Sequence, residues 1–352
     1  MGVKGLSKLV KAKAPAGVKH VTAASFCDRR VAIDAATSLY AFLTAIRDTA
    51  SAETLSSADG KVTSHISGCL SRVIKILGCG VKPIFVFDGA PPAEKEEELR
   101  RRSKLKAAAS EKFEAAKAEG DRDAMRKFAS QSVNVTEEHI ADIKRLLELC
   151  GLPYVQAKGE AEAECANLFK RGLCDAVASE DSDTLCYGVT QLCRSLDYKG
   201  KEVTMQLYLL DEIEAALRLS HEQFVELCLL CGCDYISNPK RVGPLSALKL
   251  MQQFGSIEEC AKQKPELQLD VAKYAKLKNL FLQSDVLTEE ELQRQPIRFA
   301  EVKEAELKSY LVDECTFNAD RASKLVAELV KSRASSKQRT LAGFTVKRCK
   351  LG

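Results

Sequence analysis

The stretch RRVAIDAATSLYAFL, Arg29 to Leu43, decides the fold. Its apolar run Val31-Ala32-Ile33 ends on Asp34 and gives way to a helical pattern, which reads as a short buried strand followed by a helix. The next strand is VKPIFVFDGAPP (81–92), stopped at Gly89-Ala90-Pro91-Pro92 because proline cannot continue a ladder. Between the two, TSHISGCLSRVIKILGCG (63–80) sets Ile66, Leu70, Val73, Ile74 and Leu77 at helical spacing. Strand, helix, strand predicts an α/β fold built on a parallel sheet.

From about 94 to 130 the chain is highly charged and rich in helix formers, with no broad apolar face. Such a helix stands out into solvent or binds something. The α/β pattern resumes with EHIADIKRLLELCGLPYVQA (138–157) and GEAEAECANLFKRG (159–172), and the strand DAVAS (175–179) runs into the acidic turn EDSD (180–183). After about 236 strands become scarce, and 240–340 reads as helices joined by short loops. The last 20 residues are basic and low in apolar content, and read as disordered.

The chain has 352 residues, 45% of them apolar, enough to bury a real core. No run approaches the ~18 apolar residues of a membrane span, and the lysine-broken N-terminus has no signal-peptide block. Leu6 stands where a myristoylation pattern wants Ser or Thr. A soluble intracellular protein is expected. Fourteen scattered cysteines read as reduced thiols. The tight group Cys228, Cys231 and Cys233 lacks a fourth ligand at zinc-site spacing, and reads as core rather than metal. The net charge is +4, but residues 331–352 carry seven Lys or Arg and no acid, so the rest of the chain sums to −3. Contact with DNA would need local basic patches beside an acidic centre.

Asp34 and Asp88 each end a strand, where ligands of parallel sheets bind, although each could instead cap the following helix. Asp181 and Asp183 follow a third strand, and Asp234 closes the apolar run CLLCGCDY. Glu160 and Glu162, two apart, serve one site only if the first sits at a helix entrance; solvated first-turn glutamates fit the spacing equally well. Two like charges ~4 Å apart repel by ~4 kcal/mol at an effective dielectric of 20, so seven converging carboxylates would protonate or bind cations. Oxygen-only ligands point to Mg²⁺ or Mn²⁺. A pair of such ions ~3.5–4 Å apart is the standard clamp for phosphodiester hydrolysis. An EF-hand starting at Asp181 fails at Cys186 and Leu192, and an aspartyl-phosphate site fails because Asp34 is followed by Ala-Ala-Thr37.

MGVKGLSKLVK at the N-terminus, VAIDAATSLYAF, TSH at 63–65, FVFDGAPP, GEAEAECA, the SEDSD turn and LCGCDY occur in that order. Together they resemble the flap endonucleases, structure-specific 5′ nucleases of replication and repair, from residue 1 to about 345. The short spacer between the N-terminal and internal regions is similar to that of flap endonucleases and the mismatch-repair 5′ exonuclease, not to that of the excision-repair member. The resemblance implies a PIN-like, Rossmann-like parallel-sheet nuclease core with a helical arch and a C-terminal helical region containing a helix-two-turn-helix. Its regions would be 1–107 (N-terminal nuclease), 94–130 (arch), 131–235 (internal nuclease), 236–330 (helix-two-turn-helix and C-terminal helices) and 331–352 (basic tail).

By the same resemblance Asp34, Asp88, Glu160 and Glu162 match the first metal group, and Asp181, Asp183 and Asp234 the second, for two Mg²⁺ per site with Mn²⁺ as an alternative. Lys95 and Arg102 match the arch residues that reach the scissile phosphate, where fixed charge stabilises the transition state. Gly2, Tyr40, Arg47, Arg72, Gly232 and Gly243 match DNA-contacting positions, with Tyr40 stacking on a base, and Glu160 and Asp234 share that role. The family's Gly-Ile-Gly-Pro-Lys-Arg-Ala is here Arg241-Val242-Gly243-Pro244-Leu245-Ser246-Ala247. Loss of the first glycine and the Lys-Arg pair leaves open whether the hairpin binds K⁺. Gln338, Leu341 and Phe344 match a sliding-clamp (PCNA) box in which Thr345 replaces the second aromatic.

The expected function is cleavage of a 5′ flap at its base, with 5′→3′ exonuclease activity on nicked or gapped duplex, in Okazaki-fragment maturation and long-patch base excision repair. The expected partners are branched DNA and the clamp, with no membrane; the chain would act as a monomer in the nucleus, with the mitochondrion as an alternative. The rivals are a 5′→3′ exonuclease of the same fold and a catalytically idle junction binder.

Overall fold

In the computed structural model the strand at 30–34 forms as expected and becomes the centre of a seven-stranded sheet. The structure describes residues 2–36, 39, 64–131, 135–198, 200 and 202–348, with 64, 126, 129–131 and 335–348 described by backbone alone. The strands are β1 (Val18–Thr22), β2 (Arg30–Asp34), β3 (Lys82–Phe87), β4 (Tyr154–Gln156), β5 (Ala176–Ala178), β6 (Gln191–Asp197) and β7 (Thr204–Leu209). Their order is β1-β7-β6-β5-β2-β3-β4.

The five strands β6-β5-β2-β3-β4 are parallel, whereas β7 pairs antiparallel with both β6 and β1. The sheet is therefore mixed rather than wholly parallel. Only a short connection, 198–203, joins β6 to β7, and a parallel pairing needs a crossover of a dozen residues or more.

The central strands are buried on both faces, which is why they read as continuous apolar runs. On β2, Ala32 faces one core while Val31 and Ile33 face the other; on β3, Ile84 and Val86 alternate with Phe85 and Phe87. The first core is covered by helices Leu6–Lys13, Ala161–Lys170, His221–Cys231 and Pro244–Phe254, among others. The second is covered by Ser64–Gly78, Glu137–Leu149 and the start of Ala319–Arg348. From β2 the chain moves one way to β3 and β4, then returns to the other side of β2 for β5 and β6. The crevice between β2 and β5 is thus the point where strand order reverses, the place where such sheets bind ligands at their carboxyl edge.

The charged segment forms two helices, Glu96–Glu119 and Arg122–Gln131, packed on each other with a small apolar contact of Phe113, Ala116, Ala124 and Met125. At the C-terminus, the tail expected to be disordered continues as helix to Arg348. Its lysines, arginines, alanines and leucine are good helix formers, and the helix is already nucleated where Ala322, Val326 and Leu329 pack into the core. Arg333 fixes its exit, donating to the carbonyls of Cys150 and Gly151 at 3.0 Å and of Ala300 at 2.6 Å. Among the described residues no helix is long and apolar enough to cross a membrane.

Cys228, Cys231 and Cys233 are buried, and burial pushes their thiols up, Cys231 to about 12. All three pack in the first core among apolar side chains.

Two buried acids hold the helical region to the nuclease core. Glu164 accepts from the backbone N–H of Leu287 at 2.9 Å, and Glu226 accepts from Ile257 N–H and Lys278 Nζ at 2.8 and 2.7 Å. Removing one partner of a buried ion pair leaves the other charge uncompensated. Glu226→Ala should therefore cost about 3 kcal/mol in urea unfolding; a loss under about 0.5 kcal/mol would show that Lys278 simply turns to solvent.

Candidate active site

Three neighbouring strands deliver three acids to one edge. Asp34 is the last residue of β2, Asp88 follows β3, and Asp181 follows β5, so strand spacing alone brings their carboxylates together. Asp34 is fixed by donors from Ser179 Oγ at 2.9 Å and Ala36 N–H at 3.0 Å. The exposed residue Asp88 turns one carboxyl oxygen inward onto the Ala161 N–H at 2.8 Å. Desolvation there raises its pKa, against the pull of that hydrogen bond and of Lys95.

Glu160 is the N-cap of helix Ala161–Lys170, the entrance that lets it share a site with Glu162 in the first turn. Its carboxylate accepts from Tyr187 Oη at 3.2 Å, and from Tyr235 Oη and Lys95 Nζ. Burial raises the Glu162 pKa far above normal, and Asp34, Asp181, Asp88 and Glu160 all push it the same way. Asp183 is raised likewise, by burial and then by Asp181, Asp234 and Glu160. These mutual repulsions join all seven acids in one cleft.

Asp181, Asp183 and Asp234 each offer an oxygen within 4.8 Å of the others. The 3-10 turn Ser182–Leu185 orients the first two, with Asp181 accepting from the Asp183 N–H at 2.9 Å. Asp183 Oδ1 is buried without a hydrogen-bond partner among the described residues. A buried, unpartnered carboxylate oxygen amid other carboxylates is what a hard, oxygen-seeking divalent ion satisfies, so this donor set fits Mg²⁺ or Mn²⁺. The protein's own cations answer the same charge. Arg102 donates to Asp234 at 2.6 Å, and Lys95 lies 3.5 Å from Asp234 and pairs with Glu160. Burial alone would lower the Lys95 pKa, but Glu160, Glu162 and Asp234 outweigh it and raise it. Arg102 lies seven positions after Lys95, close to two helical turns, so both face the cleft from the foot of helix Glu96–Glu119.

The N-terminus is wedged between the two acidic loops. Val3 N–H donates to Ser182 Oγ at 2.9 Å and Lys4 N–H to the Gly232 carbonyl at 2.8 Å. Gly2 has φ 88°, and a Cβ there would meet Asp181 Oδ1 and lie 2.6 Å from Ser182 Oγ. Gly232, at φ 85°, is equally confined, since a Cβ would lie 2.7 Å from Asn238 N.

Of the other expected residues, Gly243 is the exposed N-cap of helix Pro244–Phe254. Arg72 is half-buried, its guanidinium 4.9 Å from the Tyr198 ring centre. Tyr40 and Arg47 lie outside the described residues, as do the side chains of Gln338, Leu341 and Phe344. Sequence reasoning missed Tyr187, Tyr235, Ser179 and Ser182, which hold the carboxylates and the N-terminus. Only Tyr235, directly after Asp234, carried a signal.

Comparison with known proteins follows the same residues. The XPG N-terminal domain model matches residues 1–109 and the XPG I-region model residues 151–234. Flap endonuclease 1-A of Sorghum bicolor is 39% identical over 349 residues, covering 98% of this chain and 90% of its own. Flap endonuclease-1 of Methanococcus jannaschii superposes with a TM-score of 0.67 at 28% identity, over 90% of this chain and 96% of that one. The catalytic core of Rad2 in complex with DNA substrate shares the fold, with a TM-score of 0.71 at 24% identity, over 93% and 100%.

The crowding at Gly2 makes a sharp prediction. Gly2→Ala should displace the Asp181 loop and weaken Mn²⁺ binding roughly tenfold by isothermal titration, the usual effect of disturbing a ligand's support; unchanged affinity would mean the N-terminus does not position the acids.

Proposed function

The chain belongs to the flap endonuclease family and is a structure-specific nuclease, and on that basis we propose that it cuts the phosphodiester at the base of a 5′ flap with two Mg²⁺ ions. The reading includes 5′→3′ exonuclease action on nicked or gapped duplex, and service in Okazaki-fragment maturation and long-patch base excision repair. One observation carries it: seven carboxylates and two arch cations converge at the crevice where strand order reverses.

Asp34, Asp88, Glu160 and Glu162 would hold one ion and Asp181, Asp183 and Asp234 the other. Ions there supply a water of lowered pKa and neutralise phosphoryl charge. Lys95 and Arg102, held on one side of a single helix, present two positive charges to a phosphate entering beside Asp234, and stabilise the charge it gains as the bond breaks. Tyr187 and Tyr235 keep Glu160 oriented and exclude water from its inner side. Neither histidine nor cysteine is needed as a nucleophile, and the buried cysteines nearest the cleft are held as neutral thiols. Bending DNA at a nick costs little, so recognition rests on deformability and not on base sequence.

In this reading the chain works as a monomer on branched DNA in the nucleus, and Gln338, Leu341 and Phe344 dock on the sliding clamp.

Two outcomes test the proposal. Asp181→Ala should abolish cleavage of a labelled double-flap substrate and leave junction binding within about threefold, since an interaction made only in the transition state lowers the rate without weakening substrate binding. A variant that still cuts would remove Asp181 from the ion site. Phe344→Ala should lose stimulation by the clamp at unchanged basal activity, because aromatic anchors dominate small interfaces; equal stimulation of both proteins would place the contact elsewhere.

A further inference from the structure

The first turn of helix Glu96–Glu119 carries three glutamates, and one of them is set apart from the others. Glu96 pairs with Arg100 at 2.6 Å, four residues on, with the two side chains 63% and 73% exposed. A solvated pair of that kind is worth little. Glu98 makes the same pairing with Arg102, but its side chain is only 16% exposed, and it is gripped by Arg101 as well. Arg101 donates to both carboxylate oxygens, from Nε and Nη2 at 2.7 Å each, and Arg102 Nε donates to Oε1 at 2.9 Å. The hydrogen bond from Arg101, and then that from Arg102, hold the Glu98 carboxyl down to about 2 against desolvation. Glu98 is therefore a full negative charge at neutral pH.

The same Arg102 reaches on into the acidic cleft. Its Nη2 donates to Asp234 Oδ2 at 2.6 Å, and Lys95 Nζ lies 3.5 Å from that oxygen. Arg102 thus stands between two carboxylates that hold different parts of its plane, Glu98 the Nε edge and Asp234 the Nη end. A guanidinium is planar and rigid, so fixing Nε fixes where the two Nη nitrogens point. Asp234 also belongs to the cluster with Asp181 and Asp183 that fits a divalent ion. An ion taking Asp234 removes one of the two partners of Arg102 and leaves the other in place. The Nη pair then faces the cleft as an open fork, whose spacing suits two oxygens of a phosphate. Arg101 has its own part in this. Glu98 alone would cancel the charge of Arg102, whereas two arginines against one glutamate keep the group net positive.

We propose that Glu98 is a positioning residue for the nuclease reaction: it holds Arg102 by Nε, which eases Arg102 off Asp234 and aims its Nη fork at the phosphate to be cut. The proposal rests on the nuclease reading above. Without Glu98, Asp234 is the one carboxylate left to Arg102, and the arginine competes with an ion for that oxygen. With Glu98 in place the arginine keeps a partner when it gives up Asp234, so the exchange costs less. A role in steadying the helix dipole would be served by Glu96 and Glu97 alone and needs no contact with Arg102. The inward turn of Glu98 and the double grip of Arg101 are what that role leaves unexplained.

The test uses the full chain and a double-mutant cycle. Glu98→Gln keeps the size and helix propensity of the residue, so it should melt with the wild type. It should cut labelled double-flap DNA about tenfold more slowly in a single turnover, with the Kd for that DNA in EDTA within about twofold, as expected when a charge is misplaced only at the transition state. In an Arg102→Ala background the same change should slow cutting no further, because a residue that acts through Arg102 has nothing left to act on. Calorimetric titration with Mn²⁺ reads a second effect without any cleavage. Glu98→Gln should weaken Mn²⁺ binding several-fold, and adding Arg102→Ala should restore it. Glu96→Gln, in the exposed neighbouring pair, should match the wild type throughout. Rate losses that multiply in the double variant, wild-type Mn²⁺ affinity in Glu98→Gln, or an equal loss in Glu96→Gln would each overturn the proposal. Failure of the wild type to cut refutes the nuclease reading itself, whereas normal cutting with any of those results refutes the role of Glu98 alone.

Discussion

Electrostatic repulsion among carboxylates at the carboxyl edge of β2, β3 and β5 is the constraint on which the rest of the molecule depends. Asp34, Asp181 and Asp183 are buried at or just beyond the strand ends, so each carries a desolvation cost of its own. Held together, they raise one another's pKa, with burial the larger cause at Glu162 and Asp183. At an effective dielectric of 20, each close pair costs ~4 kcal/mol unless positive charge intervenes. Lys95 and Arg102 supply such charge from the foot of the arch helix. The same geometry that makes the cleft a site for divalent ions also anchors the arch over it.

Holding the acidic loops at close quarters takes support from parts of the chain far apart in sequence. The first residues lie between the 181–183 and 232–234 loops and bond to both. The hairpin 221–254 brings Asp234 to the cleft from the opposite side, and Glu226 locks that hairpin to the helices beyond it. The 232–234 loop and the turn that begins at Asn238 therefore meet at one backbone junction, Gly232 against Asn238.

Much of this was legible in the sequence. The strands β2 and β3 are apolar runs ending in acid, and burial on both faces leaves them no alternation to confuse the reading. Glu160 and Glu162 needed one further fact, the helix entrance at Glu160. The antiparallel edge was missed. β1 reads Val-Lys-His-Val-Thr, β6 and β7 mix polar with apolar residues, and their pairing depends on a connection too short for a crossover rather than on any run. The helical tail was missed because its composition suits both a solvated coil and a helix, and what nucleates it lies upstream in the core. Tyr187 was invisible because a tyrosine in an apolar stretch looks the same whether its hydroxyl meets a carboxylate or not. Arg241 departs from the glycine of the family turn, and its φ of 65° is one that glycine adopts freely.

The central claim, that the acid-lined crevice is a cation-dependent site cutting at a strand junction, is tested most directly by cleavage of a 5′-labelled double-flap DNA with Mg²⁺ and with EDTA, beside single-stranded and blunt duplex controls. One Mg²⁺-dependent product, cut at the flap base and absent from both controls, is the predicted result. Tight binding without any product in Mg²⁺ would contradict it, and would leave the carboxylates as a structural cluster in a junction-binding protein.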